Sequence, residues 1–114
     1  MRNKIKILDC TLRDGGYYNR WDFDRGTVDR YLRAVKNSSV DIVELGFRFL
    51  PTNTFMGPYA YTTDDFINQL DLPEGLLYGV MINGKEFMDK HNGYKSAINS
   101  FFQKKENSPI SLVR

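Results

Sequence analysis

The chain has 114 residues, of which 41% are hydrophobic and 26% charged, a balance that suits a folded domain and excludes a disordered segment or a membrane span. Sixteen Lys and Arg against fourteen Asp and Glu leave a net charge of +2, and with both signs scattered and no basic block, nucleic acid is excluded as the leading partner. The single cysteine, Cys10, excludes an internal disulfide framework. The start, Met1-Arg2-Asn3-Lys4-Ile5-Lys6, breaks its apolar run with lysines, so no signal peptide and no membrane partner are expected, and the expected compartment is the cytoplasm.

Residues 4–10 (KIKILDC) are rich in Ile and Leu and run into Asp14-Gly15-Gly16, the pattern of a strand followed by a turn in which the glycines supply positive φ. Cys10 reads as a small buried strand residue. After Trp21-Asp22-Phe23-Asp24, apolar positions recur at Val28, Tyr31, Leu32 and Val35, which places all four on one helix face. Asp24 is the expected N-cap and Asn37-Ser38-Ser39 the stop.

Residues 40–47 (VDIVELGF) are nearly continuously apolar, as in a strand covered on both faces. Period-two alternation sets Ile42, Glu44 and Gly46 on one side, Val43 and Leu45 on the other. Residues 48–61 hold Pro51, Asn53, Gly57 and Pro58 and read as a long loop. A short helix is expected from Thr62 or Thr63 through Leu70.

Pro73-Glu74-Gly75 precedes a third strand over residues 76–82, and Tyr94, Ala97, Ile98 and Phe101 repeat the helical stripe. Ser108-Pro109 leads into a fourth strand over 110–113. Strands that recur every thirty-odd residues, roughly, with helices between them have the size of βαβ units, which predicts right-handed crossovers and a parallel sheet.

Charged residues cluster at the carboxyl end of the first strand, the end at which α/β folds bind ligands. On the residues alone, Arg13 and Asp14 suit either a salt-bridged turn or a site. Glu44 suits either a strand-end carboxylate paired with a Lys or Arg, such as Arg48, for stability alone, or a pocket residue that requires a cationic partner. Arg48, Asn83 and Arg114 also follow strands, where they can face a common pocket, although each reads more readily as a loop or edge residue.

The run Thr11-Leu12-Arg13-Asp14-Gly15 resembles the signature of the metal-dependent aldolase and lyase superfamily, which includes 4-hydroxy-2-oxovalerate aldolase, hydroxymethylglutaryl-CoA lyase and isopropylmalate synthase. Val43-Glu44-Leu45-Gly46 resembles the segment that carries the family's glutamate. These specific matches lie within residues 9–15 and 40–46. The resemblance implies that residues 1–114 are the incomplete N-terminal portion, about four βα units, of a (β/α)8 TIM barrel. It further implies a carbon–carbon lyase or aldolase, or an acyltransferase of the isopropylmalate synthase type, acting through a metal-bound enolate of a 2-oxo acid or acyl-CoA.

On that resemblance Asp14 is the metal ligand, for Mn²⁺ or Mg²⁺, Arg13 stabilises the enolate oxygen and Glu44 holds Arg13. Tyr17 stands where the oxovalerate aldolases have a histidine associated with proton transfer and the lyases and synthases have glutamine. A phenol with a pKa of about 10 is a poorer base, so proton transfer and pocket lining both remain open for Tyr17. The family's His-x-His metal pair has no counterpart here, where His91 is the one histidine and reads as exposed. The chain alone is therefore expected to be inactive and to hold a metal weakly. The alternative expectation is a non-catalytic assembly module whose fourth strand completes its sheet by self-association or with another chain, such as a missing C-terminal half.

Overall fold

A computed structural model describes residues 5–88 and 93–114. His91 lies outside the described residues. Within them the chain is α/β, with four strands, β1 (Leu8–Asp9), β2 (Ile42–Phe47), β3 (Leu77–Met81) and β4 (Leu112–Val113). They pair in parallel in the order β1-β2-β3-β4. Parallel neighbours in sequence order, each pair joined through helix, form the repeating unit of a (β/α) barrel. No helix among the described residues is long and apolar enough to cross a membrane.

Between β1 and β2 lie α1 (Thr11–Asn19) and α2 (Arg25–Lys36). The latter follows directly from local sequence. The Asp24 carboxylate accepts from the Thr27 backbone N–H at 3.0 Å, satisfying an N-terminal donor that has no partner within the helix. Arg33 and Lys36 sit in its last turn, where cations meet the negative end of the helix dipole. Val28, Leu32 and Val35 are buried and join Val43, Leu45, Val80 and Ile110 in the main core, each contributing about 1.5–3 kcal/mol by leaving water.

The expected turn at Gly15-Gly16 is instead the middle of α1. The glycines do not supply positive φ; Arg20 and Trp21, both at φ 58°, carry it past the helix end. Gly16 is selected by packing, because a Cβ there would stand 1.8 Å from Cδ1 of the Trp21 indole. That ring is buried, and its Nε1–H donates to the Arg13 carbonyl at 2.8 Å. Gly16→Ala improves helix propensity by up to about 1 kcal/mol but displaces the indole, so a net loss of about 1–3 kcal/mol is expected. The midpoint of urea unfolding measures it, and a rise in midpoint would contradict the packing argument.

Two further differences bear on the site. Strict alternation along β2 fails at a bulge, where Glu44 pairs with Gly79 and Gly46 with Val80. One extra residue reverses the sides downstream. Gly46 therefore faces α3 (Pro58–Tyr61), where a Cβ would meet the Tyr59 carbonyl oxygen at 2.1 Å, and Phe47 turns its ring towards Arg13. The expected loop over 48–61 thus contains a helical turn, closed by Thr62 at φ 37°.

The short helix α4 (Asp64–Ile67) is capped by the Thr63 hydroxyl, which accepts from the Phe66 N–H. After β3 come α5 (Gly84–Met88), which has no clear periodic signal, and α6 (Gly93–Phe101). Of the expected α6 stripe only Ala97 is buried, while Tyr94 and Ile98 are exposed. This helix packs on Leu50 and Phe87 in a small separate cluster rather than on the main core.

Candidate functional site

Asp9 ends β1 and shapes the start of α1. Its Oδ1 accepts from the Thr11 backbone N–H at 2.9 Å and from the Tyr31 hydroxyl. Burial pushes the Asp9 carboxyl up, but the hydrogen bonds from Tyr31 and Thr11 outweigh it and hold the group below the ordinary aspartate value. Burial, together with the bond to Asp9, pushes the Tyr31 phenol far up, so it stays a neutral donor. The ionised Asp9 thereby ties α1 to the strand end and to α2, and so sets where the first turn of α1 projects.

From that turn the Arg13 Nε donates to Glu44 Oε1 at 2.8 Å. Glu44 is fully buried on β2. Its second oxygen, Oε2, accepts from Arg114 Nε at 2.8 Å, and Arg114 Nη2 adds a bond to Oε1 at 3.1 Å. Burial alone would raise the Glu44 carboxyl; the bonds from Arg114 and Arg13 reverse this and hold it below the ordinary glutamate range. The same bonds raise both guanidiniums above the ordinary arginine value.

One carboxylate thus binds two arginines that come from α1 and from just beyond β4. The Arg13 guanidinium carbon also stands 5.8 Å from the Phe47 ring centroid, so one face of the cation is packed against an aromatic. The sequence pairing of Arg13 with Glu44 is present. Pairing of Glu44 with Arg48 is not, because Arg48 turns away to Asp64, at 2.8 Å.

Asp14 neighbours this set without being absorbed by it. Its side chain is 71% exposed, and its Oδ1 lies 3.7 Å from Arg13 Nη1. Such a carboxylate can serve a hard divalent cation. The Glu44 oxygens cannot, being occupied by guanidinium. Among the described residues no group of three or more His, Cys, Asp or Glu is placed to hold a metal ion, so the residues present fit one ligand of a cation site and not a whole one.

Tyr17 follows Arg13 by one helical turn and is 63% exposed. Its ring packs edge-on against Trp21 and Phe47, with centroids 4.9 and 6.0 Å apart. Cys10 is only partly buried at the β1–α1 junction, not sealed in a strand. Asn83 accepts from the Lys85 N–H and caps the following helix, as suits a loop residue. Of the three residues that follow strands, Arg114 is the one that joins this set, as the second cation on Glu44 rather than a plain edge residue. The one available signal was its place after a strand, shared with Arg48 and Asn83.

No protein-family model matches the chain, and no curated protein matches it significantly. Among solved structures it is similar to the N-terminal domain of a candidate aldolase from Bacteroides vulgatus, with a TM-score of 0.73 and 32% sequence identity. The match covers 96% of this chain and 34% of that one, so the chain spans about a third of its solved relative. The fold is therefore aldolase-like.

Proposed function

We propose that these residues form the amino-terminal part of the active site of a divalent-metal-dependent carbon–carbon lyase or aldolase that acts through the enolate of a 2-oxo acid or acyl-CoA. The observation that supports this reading is the Arg13–Glu44 pair beside the open Asp14 carboxylate, where the carboxyl end of β1 meets the middle of β2. An arginine held by one edge presents its remaining N–H groups as a preformed fork, suited to negative charge that develops on an oxygen during bond cleavage. Glu44, held ionised, keeps that fork in place without reorganisation at the moment of reaction.

Asp14 would hold the divalent cation, with other ligands from outside the described residues, and the cation when bound supplies polarisation of a carbonyl oxygen. Tyr17 lines the same side of α1, where its phenol can donate to a substrate oxygen. The aldolase-like fold and the 32% identity to the Bacteroides vulgatus domain support the same reading.

The test is retro-aldol release of pyruvate, or of an acyl product, by the protein expressed from its natural gene, with and without Mn²⁺. Metal-dependent cleavage is expected, and Asp14→Ala is expected to lower kcat by at least about a hundredfold, the scale of losing a metal or oxyanion contact. Cleavage indifferent to metal, or full activity in Asp14→Ala, would overturn the assignment.

A second reading, an assembly module without catalysis, draws on the apolar groove of about 350 Å³ beside β4, lined by Ile82, Ile98, Phe102, Ile110 and Leu112. Sedimentation distinguishes it. Reversible self-association weakened by Val113→Lys, together with no cleavage activity, would favour that reading.

A further inference from the structure

We propose that Arg114 is a positioning residue for this site, clamping Glu44 from the β4 side so that Glu44 in turn orients Arg13. The inference rests on the lyase reading for its consequence in catalysis, and on geometry for the clamp itself.

A fully buried carboxylate with one monodentate partner would leave Oε2 without a donor, a costly arrangement for an anion away from water. Arg114 supplies that donor at 2.8 Å and then reaches across to Oε1 at 3.1 Å. A two-point fork fixes the plane of the carboxylate as well as its position. With that plane fixed, Oε1 has one direction from which to accept the Arg13 Nε. Arg114 is itself placed by the backbone, since its N–H donates to the Val80 carbonyl and its carbonyl accepts from the Ile82 N–H. The clamp is thus anchored to β3.

Among the described residues no other element offers Glu44 a substitute. β3 presents Gly79 opposite it, the single hydrogen bond from α1 is that of Arg13, and Arg48 is bound to Thr62, Asp64 and Phe101. With the Asp14 carboxylate 3.7 Å from Arg13, the cluster holds two guanidiniums and two carboxylates, so it is the geometry of Arg114 and not a charge excess that marks its role. Its Nε and Nη2 are both spent on Glu44, as a positioning role requires.

The experiment uses the protein expressed from its natural gene and two variants, Arg114→Gln and Arg114→Lys. Exchange of the Arg13 Nε proton, followed by NMR with Arg13→Lys to assign the signal, reports the orientation of Arg13 without reference to activity. Slow exchange is expected in the parent, exchange at least about tenfold faster in Arg114→Gln, and an intermediate rate in Arg114→Lys, which keeps the charge and loses the fork. In parallel kcat should fall by about ten- to a hundredfold in Arg114→Gln at nearly constant KM, with partial recovery in Arg114→Lys, the pattern of an interaction used in the transition state.

If Arg114→Gln does not fold, Arg114→Lys carries the test, with faster exchange and lower kcat than the parent expected. An Arg13 Nε proton equally protected in the parent and in a folded variant would overturn the proposal, whatever the activity. So would equal loss of kcat in both variants without any change in exchange. Loss of protection in a protein that shows no carbon–carbon cleavage would leave the clamp standing and remove the lyase reading.

Discussion

Glu44→Gln is expected to lower kcat by about a hundred- to a thousandfold while leaving KM within a few-fold, the scale of removing a preorganised charge that supports an oxyanion donor. The substitution preserves shape, and the amide oxygen can still accept one bond. It removes the negative charge that binds two guanidiniums and replaces one acceptor with an N–H₂ donor aimed at an arginine. One of Arg13 and Arg114 must then swing out, because neither can accept a hydrogen bond. Breaking a buried ion cluster from one side costs about 3–5 kcal/mol, so denaturant unfolding of Glu44→Gln should also shift to a lower midpoint.

The pH dependence carries the same signature. The folded-state value of Glu44 is depressed, so the stability it contributes is present above the ordinary glutamate value of about 4.3 and is lost as pH falls through the lower folded value. The parent should therefore lose stability in that acid window, and Glu44→Gln should show a flatter profile there. Unfolding midpoints between pH 3 and 6, roughly, measure the difference. Parallel profiles for the two proteins would mean that Glu44 contributes nothing as an ionised group.

Much of this arrangement is legible in the sequence. The α2 helix was readable because Asp24 and the spacing of Val28, Leu32 and Val35 are local signals, satisfied within twelve residues. The β2 strand was readable because a continuous apolar run has one economical use in a parallel sheet. Arg13 and Glu44 were paired through motif resemblance, and the 2.8 Å bond between them follows.

What escaped depends on contacts between distant residues. Gly15-Gly16 carries a strong local turn signal, yet the chain continues as helix because Trp21 folds back onto Gly16, a constraint visible only once the indole is placed. The β2 bulge leaves no trace in the pattern of residues, since Gly46 satisfies strict alternation as well as it satisfies the bulge. Arg48 and Arg114 occupy equivalent places after strands. Only the reversal of sides beyond Glu44 sends one to Asp64 and leaves Glu44 for the other.

Arg48→Met is expected to destabilise the protein by about 3–5 kcal/mol, the cost of leaving one charge of a buried pair uncompensated. Arg48 is 2% exposed and makes four hydrogen bonds: two to the Thr62 carbonyl at 3.1 and 2.7 Å, one to the Phe101 carbonyl at 2.9 Å and one to Asp64 at 2.8 Å. Its guanidinium also lies 4.8 Å from the Phe102 ring centroid. These contacts join the end of β2 to the start of α4 and to the end of α6. Met matches the length of the aliphatic stem and supplies no donor, so two carbonyls and the Asp64 carboxylate lose their cation.

Asp64 would keep the Gln103 amide at 2.9 Å and the Ser108 hydroxyl at 3.1 Å. Two neutral donors do not offset a buried negative charge, and the double variant Arg48→Met, Asp64→Leu should therefore recover part of the loss. Unfolding in urea of the parent, both single variants and the double variant gives the coupling directly. Additive losses would show the pair to be incidental. A double variant more stable than either single one would show that the cluster holds α6 in place through mutual charge compensation rather than through the packing of the two stems.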